Sequence, residues 1–260
     1  MANYLYLLLA GTLTATALFG QHAQASGIEV AADVDVAIVF AVDFSSSIDP
    51  HTADFQRNGH STALTSPEIA AAIARNQRGC IAVSYFEWSS PGQIRKVLPW
   101  TTICGPKDAE AAAEVIDRKG DTGFRRRGRG GTSVSTAIDV GSVFLDEFPG
   151  RAARKVIDIS SNGENNDGVP VRRSRLAALA KGYTINAIAI PPTRKTSGRE
   201  LASYFADHVI GGPQAFVVTP SGPGDYARAL RLKLVTEISM NGSPSFSPGT
   251  PASTSVARGQ

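Results

Sequence analysis

Cysteine, tryptophan and methionine occur only twice each in this 260-residue chain, and histidine four times. The histidines (His22, His51, His60 and His208) form no i, i+4 pair and no zinc spacing, which excludes the common zinc motifs. A surplus of one charge is missing too. Lys and Arg number 26 against 23 Asp and Glu, a net charge of +3, and no aromatic-interleaved basic motif marks a nucleic-acid binder. No Gly-x-Ser-x-Gly elbow surrounds Ser45 or Ser47, and Gly128 to Gly131 lacks the Gly-Lys-Ser/Thr ending of a phosphate loop. Asp43 has Ser45, not a second carboxylate, two residues on, so it does not resemble a phosphoryl acceptor. No internal repeat is present. A hydrolase of unknown reaction is therefore the third-ranked function, and no catalytic residue is assigned.

One long apolar run exists. Residues 4–19, YLYLLLAGTLTATALF, precede a small-x-small cleavage signal, Ala23-Gln24-Ala25, and together they read as a signal peptide over residues 1–25. No Lys or Arg stands before the run. A transmembrane anchor is the rival reading, but the run contains three threonines and falls short of the ~20 residues a span needs, so no stable membrane anchor is expected. No cysteine follows the cleavage signal, which argues against a lipid anchor. The mature chain would start near Ser26 and be periplasmic or secreted. Beyond Met240 the sequence NGSPSFSPGTPASTSVARGQ is too polar and proline-rich to build a core, and residues 240–260 read as a disordered tail.

Between these ends, residues 33–239 read as one α/β domain. Strands are expected at Val34–Val42, Ile81–Trp88, Ile94–Thr101, Lys155–Ser160, Tyr183–Ile190 and Ala215–Thr219. Helices fall between them at 52–64, 67–76, 107–118, 133–148, 171–180, 198–205 and 224–238. This alternation implies a doubly wound, mostly parallel six-stranded sheet, and Pro99 marks the third strand as an antiparallel edge. With Ser89–Gln93 as the hairpin connection, residue 80 faces roughly residue 102, which brings Cys80 within disulfide reach of Cys104. The alternative is two unrelated buried thiols.

Three segments carry the chemistry. Val34 to Pro50, VDVAIVFAVDFSSSIDP, is a doubly buried strand that ends in Asp43, Ser45 and Ser47 at alternate positions, offering the hard oxygens that Mg2+ or Ca2+ prefers. Gly130-Gly131-Thr132-Ser133 opens a helix whose apolar residues Val134, Ile138, Gly141, Leu145 and Phe148 recur at helical spacing. Lys155 to Ser160 then runs into Ser161-Asn162-Gly163, another turn at a strand's carboxyl end. Singly, each pattern equally describes helix capping and ordinary turns.

Taken in order, the three resemble the metal-ion-dependent adhesion site of the von Willebrand factor type A (vWA) domain, across roughly Asp33 to Ile238. YFEWSSPGQ (85–93), VIDISSNGENNDG (156–168) and DHVIGGPQAFVV (207–218) are similar to a functionally uncharacterised secreted bacterial branch of that superfamily. The resemblance implies hydroxyl ligands from Ser45, Ser47 and Thr132, with Asp43 binding directly or orienting a coordinated water. Asn162 stands where the family usually has an acidic residue before Gly. An amide oxygen can still hold a metal-bound water, but the site lacks one negative charge, which implies weaker metal affinity and a more electrophilic ion. Asp158 lies about 13 Å upstream of Asn162 along its strand, too far for a direct ligand. Asp167 is in the same loop and could bend back.

Arg125, Arg126, Arg127 and Arg129 precede the Gly-Thr loop. They read either as a solvated loop or as a cationic rim that attracts an acidic partner. The implied function is a secreted module that recognises a protein ligand through Mg2+, Mn2+ or Ca2+, the partner's carboxylate completing the coordination. A metal-independent structural or assembly domain on the same fold is the alternative.

Overall fold

The computed structural model describes residues 33–118, 130–191 and 198–240. The expected signal peptide at 1–25, the tail beyond Met240 and the arginines 125–127 and 129 lie outside them.

β1 (Asp33–Asp43) is buried at every position after its first, as its unbroken apolar run requires. Successive side chains of a strand point to opposite faces. Val36, Ile38, Phe40 and Val42 accordingly enter one core, and Ala37, Val39 and Ala41 the other. β2 (Ile81–Trp88), β3 (Ile94–Ile103), β4 (Arg151–Ser161), β5 (Thr184–Ala189) and β6 (Val217–Val218) complete the sheet in the order β3-β2-β1-β4-β5-β6. Among these six strands, only the β2–β3 pair is antiparallel.

α1 (Pro50–Leu64), α2 (Pro67–Ala74), α3 (Pro106–Arg118) and α7 (Tyr226–Ser239) cover the first core. α4 (Val134–Asp146), α5 (Val171–Ala180) and α6 (Gly198–Tyr204) cover the second. A π-helical turn, Phe205–Val209, extends α6. Among the described residues no helix is long and apolar enough to cross a membrane.

The β2–β3 hairpin corrects the expected register in one respect. Trp88 faces Ile94 near the turn, but Ile81 faces Ile103 at the far end, because two irregularities between Val83 and Phe86 add two residues to β3. Cys80 therefore lies opposite Cys104, not residue 102, with Cα atoms 4.2 Å apart, and the two form a disulfide. Pro99 sits in the irregular stretch of this edge strand, where a missing amide donor disturbs no ladder bond.

One cluster of charge is enclosed in the first core. Lys233 of α7 contacts both Asp158 of β4 and Glu237 one turn along its own helix, and the Asn186 amide donates to Glu237 Oε1 at 2.7 Å. All four are buried. Burial, with the Asp158 charge beside it, pushes the Glu237 carboxyl up to about 7 despite the ammonium nearby.

The topology also fixes where a ligand would bind. β2 lies on one side of β1 and β4 on the other, so the strand order reverses at the β1–β4 boundary. The crevice at the carboxyl ends of strands that flank such a reversal is the usual ligand site of open α/β sheets.

Candidate functional site

Asp43 ends β1 at that crevice and is fully buried. Its Oδ1 accepts the Ser45 backbone N–H at 2.7 Å, which turns the chain back on itself just after the strand. Its Oδ2 accepts the Ser161 hydroxyl at 2.6 Å, and the Asn162 backbone N–H approaches the same carboxylate. Burial raises the carboxyl above its ordinary range, and the hydrogen bonds from Ser161 and Ser45 oppose that rise.

The five residues expected at the site are joined in one hydrogen-bonded chain. Thr132 Oγ1 donates to Ser45 Oγ at 3.2 Å, Ser45 Oγ and Ser47 Oγ are 3.0 Å apart, and Ser47 Oγ donates to Asn162 Oδ1 at 2.9 Å. The Asn162 amide returns a bond to the Ser47 carbonyl at 3.3 Å, which fixes which end of the amide is oxygen. These spacings bear on whether a cation would fit. Ligands at the 2.0–2.1 Å typical of Mg2+, set at right angles in an octahedron, lie about 3 Å apart. Successive oxygens along the row Thr132, Ser45, Ser47 and Asn162 already stand at such separations, and Ser45 also meets the Asp43 carboxylate. Among the described residues no three acidic, His or Cys side chains cluster to make a denser site, so hydroxyl and amide oxygens would dominate any coordination shell.

Several contributors are not evident from the sequence motifs. Ser161, the inner partner of Asp43, is hidden because its contact spans 118 residues. Gln56 of α1 donates to the Asp43 carbonyl at 3.0 Å and accepts from Ser160 at 2.9 Å, bracing the β1 end against β4. The loop after β4 holds the Gly-Thr loop. Asn166 accepts the Thr132 N–H through Oδ1 at 2.8 Å and donates its own N–H to the Thr132 carbonyl at 2.9 Å, while Asn165 Oδ1 accepts from Ser135 N.

Asp167 does bend back, but onto Ser90, whose hydroxyl it accepts at 2.5 Å. That bond, with one from the Gly168 N–H, lowers the Asp167 carboxyl below its usual range. Ser90 in turn accepts the Gly131 N–H at 2.9 Å. Gly130, at φ 66°, has no room for a side chain because an added Cβ would stand 2.0 Å from Ser90 Oγ. Asp158, buried against Lys233, is not part of the site. Beside Asn162 lies a cleft lined by Phe55, Ile190, Pro191 and Pro220, with Gln56 and Tyr226.

A family model described as "Protein of unknown function (DUF1194)" matches residues 33–242. The chain belongs to this family. A search of curated proteins finds no match.

The DUF1194 chain has a vWA-like fold, and one of the solved structures similar to it is titled as a vWF domain. The pilus adhesin SpaC from Lactobacillus rhamnosus GG superposes with a TM-score of 0.56 at 15% identity, over 79% of this chain and 30% of that one. Proximal thread matrix protein 1 from the mussel byssus, in a structure titled as having a zinc-occupied MIDAS motif, gives 0.56 at 19%, over 80% and 48%. The vWF domain of the type V pili tip protein Mfa5 from Porphyromonas gingivalis gives 0.51 at 10%, over 83% and 100%. The DUF1194 chain thus spans less than half of the first two proteins. At these identities the likeness is one of fold.

Proposed function

We propose that this chain is an exported binding module that holds a divalent cation through Asp43, Ser45, Ser47, Thr132 and Asn162 and recognises a protein ligand whose carboxylate completes the shell. The observation that carries this reading is the row of four oxygens at 2.9–3.2 Å spacing, tied to the Asp43 carboxylate through Ser45. Mg2+ suits that spacing best, with Mn2+ and Ca2+ as substitutes. The hydroxyls are neutral ligands, so the ion keeps most of its charge for a partner's carboxylate. Arg125, Arg126, Arg127 and Arg129, which lead into the Gly-Thr loop in sequence, would steer an acidic surface toward it. The vWA adhesins and pilus proteins of the same fold are consistent with a binding role in place of catalysis, and the signal-like residues 1–25 with export.

A second reading has its own support. Each site hydroxyl already has a partner, and Asn162 bridges to Ser47 with both ends of its amide, so the crevice is satisfied with no cation present. A metal-independent assembly domain would look the same.

Substitution at Asn162 separates the two. Asn162→Asp adds a carboxylate within the row, and a unit charge about 4 Å from a cation is worth several kcal/mol at an effective dielectric near 20, before desolvation offsets part of it. Calorimetric titration should show Mg2+ binding tightened by at least about tenfold, equivalent to ~1.4 kcal/mol. Affinity for an acidic partner should fall in the same variant, because the ion is less electrophilic. Unchanged or weaker Mg2+ binding would place Asn162 outside the coordination shell.

A further inference from the structure

We propose that Asn162 modifies itself, losing its side-chain amide through succinimide formation with the backbone nitrogen of Gly163 and leaving a carboxylate at the metal site. The consequence for cation binding rests on the function proposed above; the modification itself does not.

Several local features favour the reaction at this residue, although the Asn162 Nδ2 bond to the Ser47 carbonyl at 3.3 Å must break before the amide can leave. Asn162 and Gly163 occupy the bend after β4, both only half-buried. Gly163 has no Cβ to hinder approach of its nitrogen to Asn162 Cγ. Its N–H lies outside any helix or strand ladder and is held only by the Ser161 hydroxyl, at 3.2 Å. The electrophile is polarised, because Asn162 Oδ1 accepts the Ser47 hydroxyl at 2.9 Å and so draws electron density from Cγ.

Of the chain's two other Asn-Gly pairs, Asn241-Gly242 lies outside the described residues and Asn58-Gly59 is an internal control. Asn58 and Gly59 lie in the middle of α1, where Gly59 is buried and its backbone is fixed by the helix. The Tyr226 ring is pressed against it so closely that an added Cβ would stand 2.6 Å away.

In the reaction, the Gly163 nitrogen passes its proton to water and attacks Asn162 Cγ. A C–N bond forms, the Cγ–Nδ2 bond breaks, and the amide leaves as ammonia after taking a proton from solvent. Water then opens the imide. Cleavage between Cγ and the ring nitrogen yields aspartate, and cleavage at the main-chain carbonyl yields isoaspartate. One water is consumed, one ammonia is released, and nothing is oxidised or reduced. The aspartate product carries the charge that the vWA pattern expects at this position, and its Mg2+ affinity should match that of Asn162→Asp.

Peptide mapping by mass spectrometry of the purified full chain, incubated at mildly alkaline pH and sampled over time, tests the proposal. The peptide containing Asn162 should gain one dalton progressively, with isoaspartate detectable in part of it, while the peptide containing Asn58 keeps its amide. Gly163→Ala should slow the conversion several-fold. The added Cβ would sit 3.3 Å from Thr132 Oγ1, a close contact that a small shift of the hydroxyl relieves. An intact Asn162 amide throughout, equal rates at Asn58 and Asn162, or an unchanged rate in Gly163→Ala would each overturn the proposal. If Gly163→Ala fails to fold, the ratio of the two wild-type rates still decides. Deamidation in a protein that binds no Mg2+ would keep the modification and remove the metal reading, and Mg2+ binding with the amide intact would do the reverse.

Discussion

Replacing Lys233 with Met should destabilise the protein by about 3–5 kcal/mol, the range for removing one partner of a buried ion pair. Met nearly fills the volume of the Lys stem, so the loss would come from charge and not from a cavity. Asp158 and Glu237 would then face each other in the core without the ammonium that both contact. Asp158 Oδ2 and Glu237 Oε2 already lack a hydrogen-bond partner, and the nearest other cation, Arg154, is bonded to the Glu237 backbone carbonyl and not to its carboxylate.

The deficit should depend on pH with a definite sign. Without Lys233 the Glu237 carboxyl, already pushed up to about 7 with Lys233 present, rises further above its unfolded value. The folded state then binds more protons than the unfolded state, and stability falls as pH rises. Urea unfolding of the variant and the wild type at pH 5 and pH 8 should show the larger gap at pH 8. A gap under about 1 kcal/mol at pH 8 would mean that the cluster relaxes or hydrates, below the cost of an unpaired buried charge.

Removal of the disulfide should have the next largest effect on stability. Cys80 and Cys104 close a loop 24 residues apart in sequence, and cross-linking a loop of that size restricts the unfolded chain by roughly 3 kcal/mol. The bond also staples edge strand β3 to β2 at the far end from the turn, beyond the two irregularities that weaken the ladder. Cys80→Ala with Cys104→Ala, or reduction of the wild type, should lower the melting temperature by several degrees without altering the β1–β4 crevice, since neither cysteine touches it. Two thiols that alkylate freely in unreduced, unfolded protein would show that the bond does not form.

How much of this was legible in the sequence depends on how local each signal is. β1 and the Asp43, Ser45, Ser47 spacing are local, and the structure places them as read. The oxygen-bearing loops at Thr132 and Asn162 were legible because the first opens a strong helix pattern and the second closes a strand. β4 begins at Arg151, earlier than its apolar residues indicate, since Arg151 to Lys155 pair with Asp33 to Ala37 of β1. β6 is only Val217–Val218, because it pairs with two residues of β5.

The braces of the site were not legible. Ser161 reaches Asp43, and Asn166 reaches Thr132, across gaps of 118 and 34 residues, and no periodicity records such pairings. The asparagines of the segment Glu164 to Asp167 look like loop filler until the Gly-Thr loop is seen resting on them. Gly130 and Gly131 are similar. Their composition suggests flexibility, yet Ser90, Asn166 and Asp167 crowd the space where side chains would be.

The central claim is that Asp43 and the row of oxygens tied to it hold a divalent cation, and the thermal stability of purified protein in millimolar Mg2+ tests it most directly. A ligand that binds only the folded state raises stability by mass action, by about 2.7 kcal/mol at a hundredfold excess over its dissociation constant. The wild-type melting temperature should rise saturably with Mg2+, and that of Asp43→Ala, measured against its own metal-free baseline, should not move. An equal rise in both proteins, or none in the wild type up to tens of millimolar, would contradict the metal site.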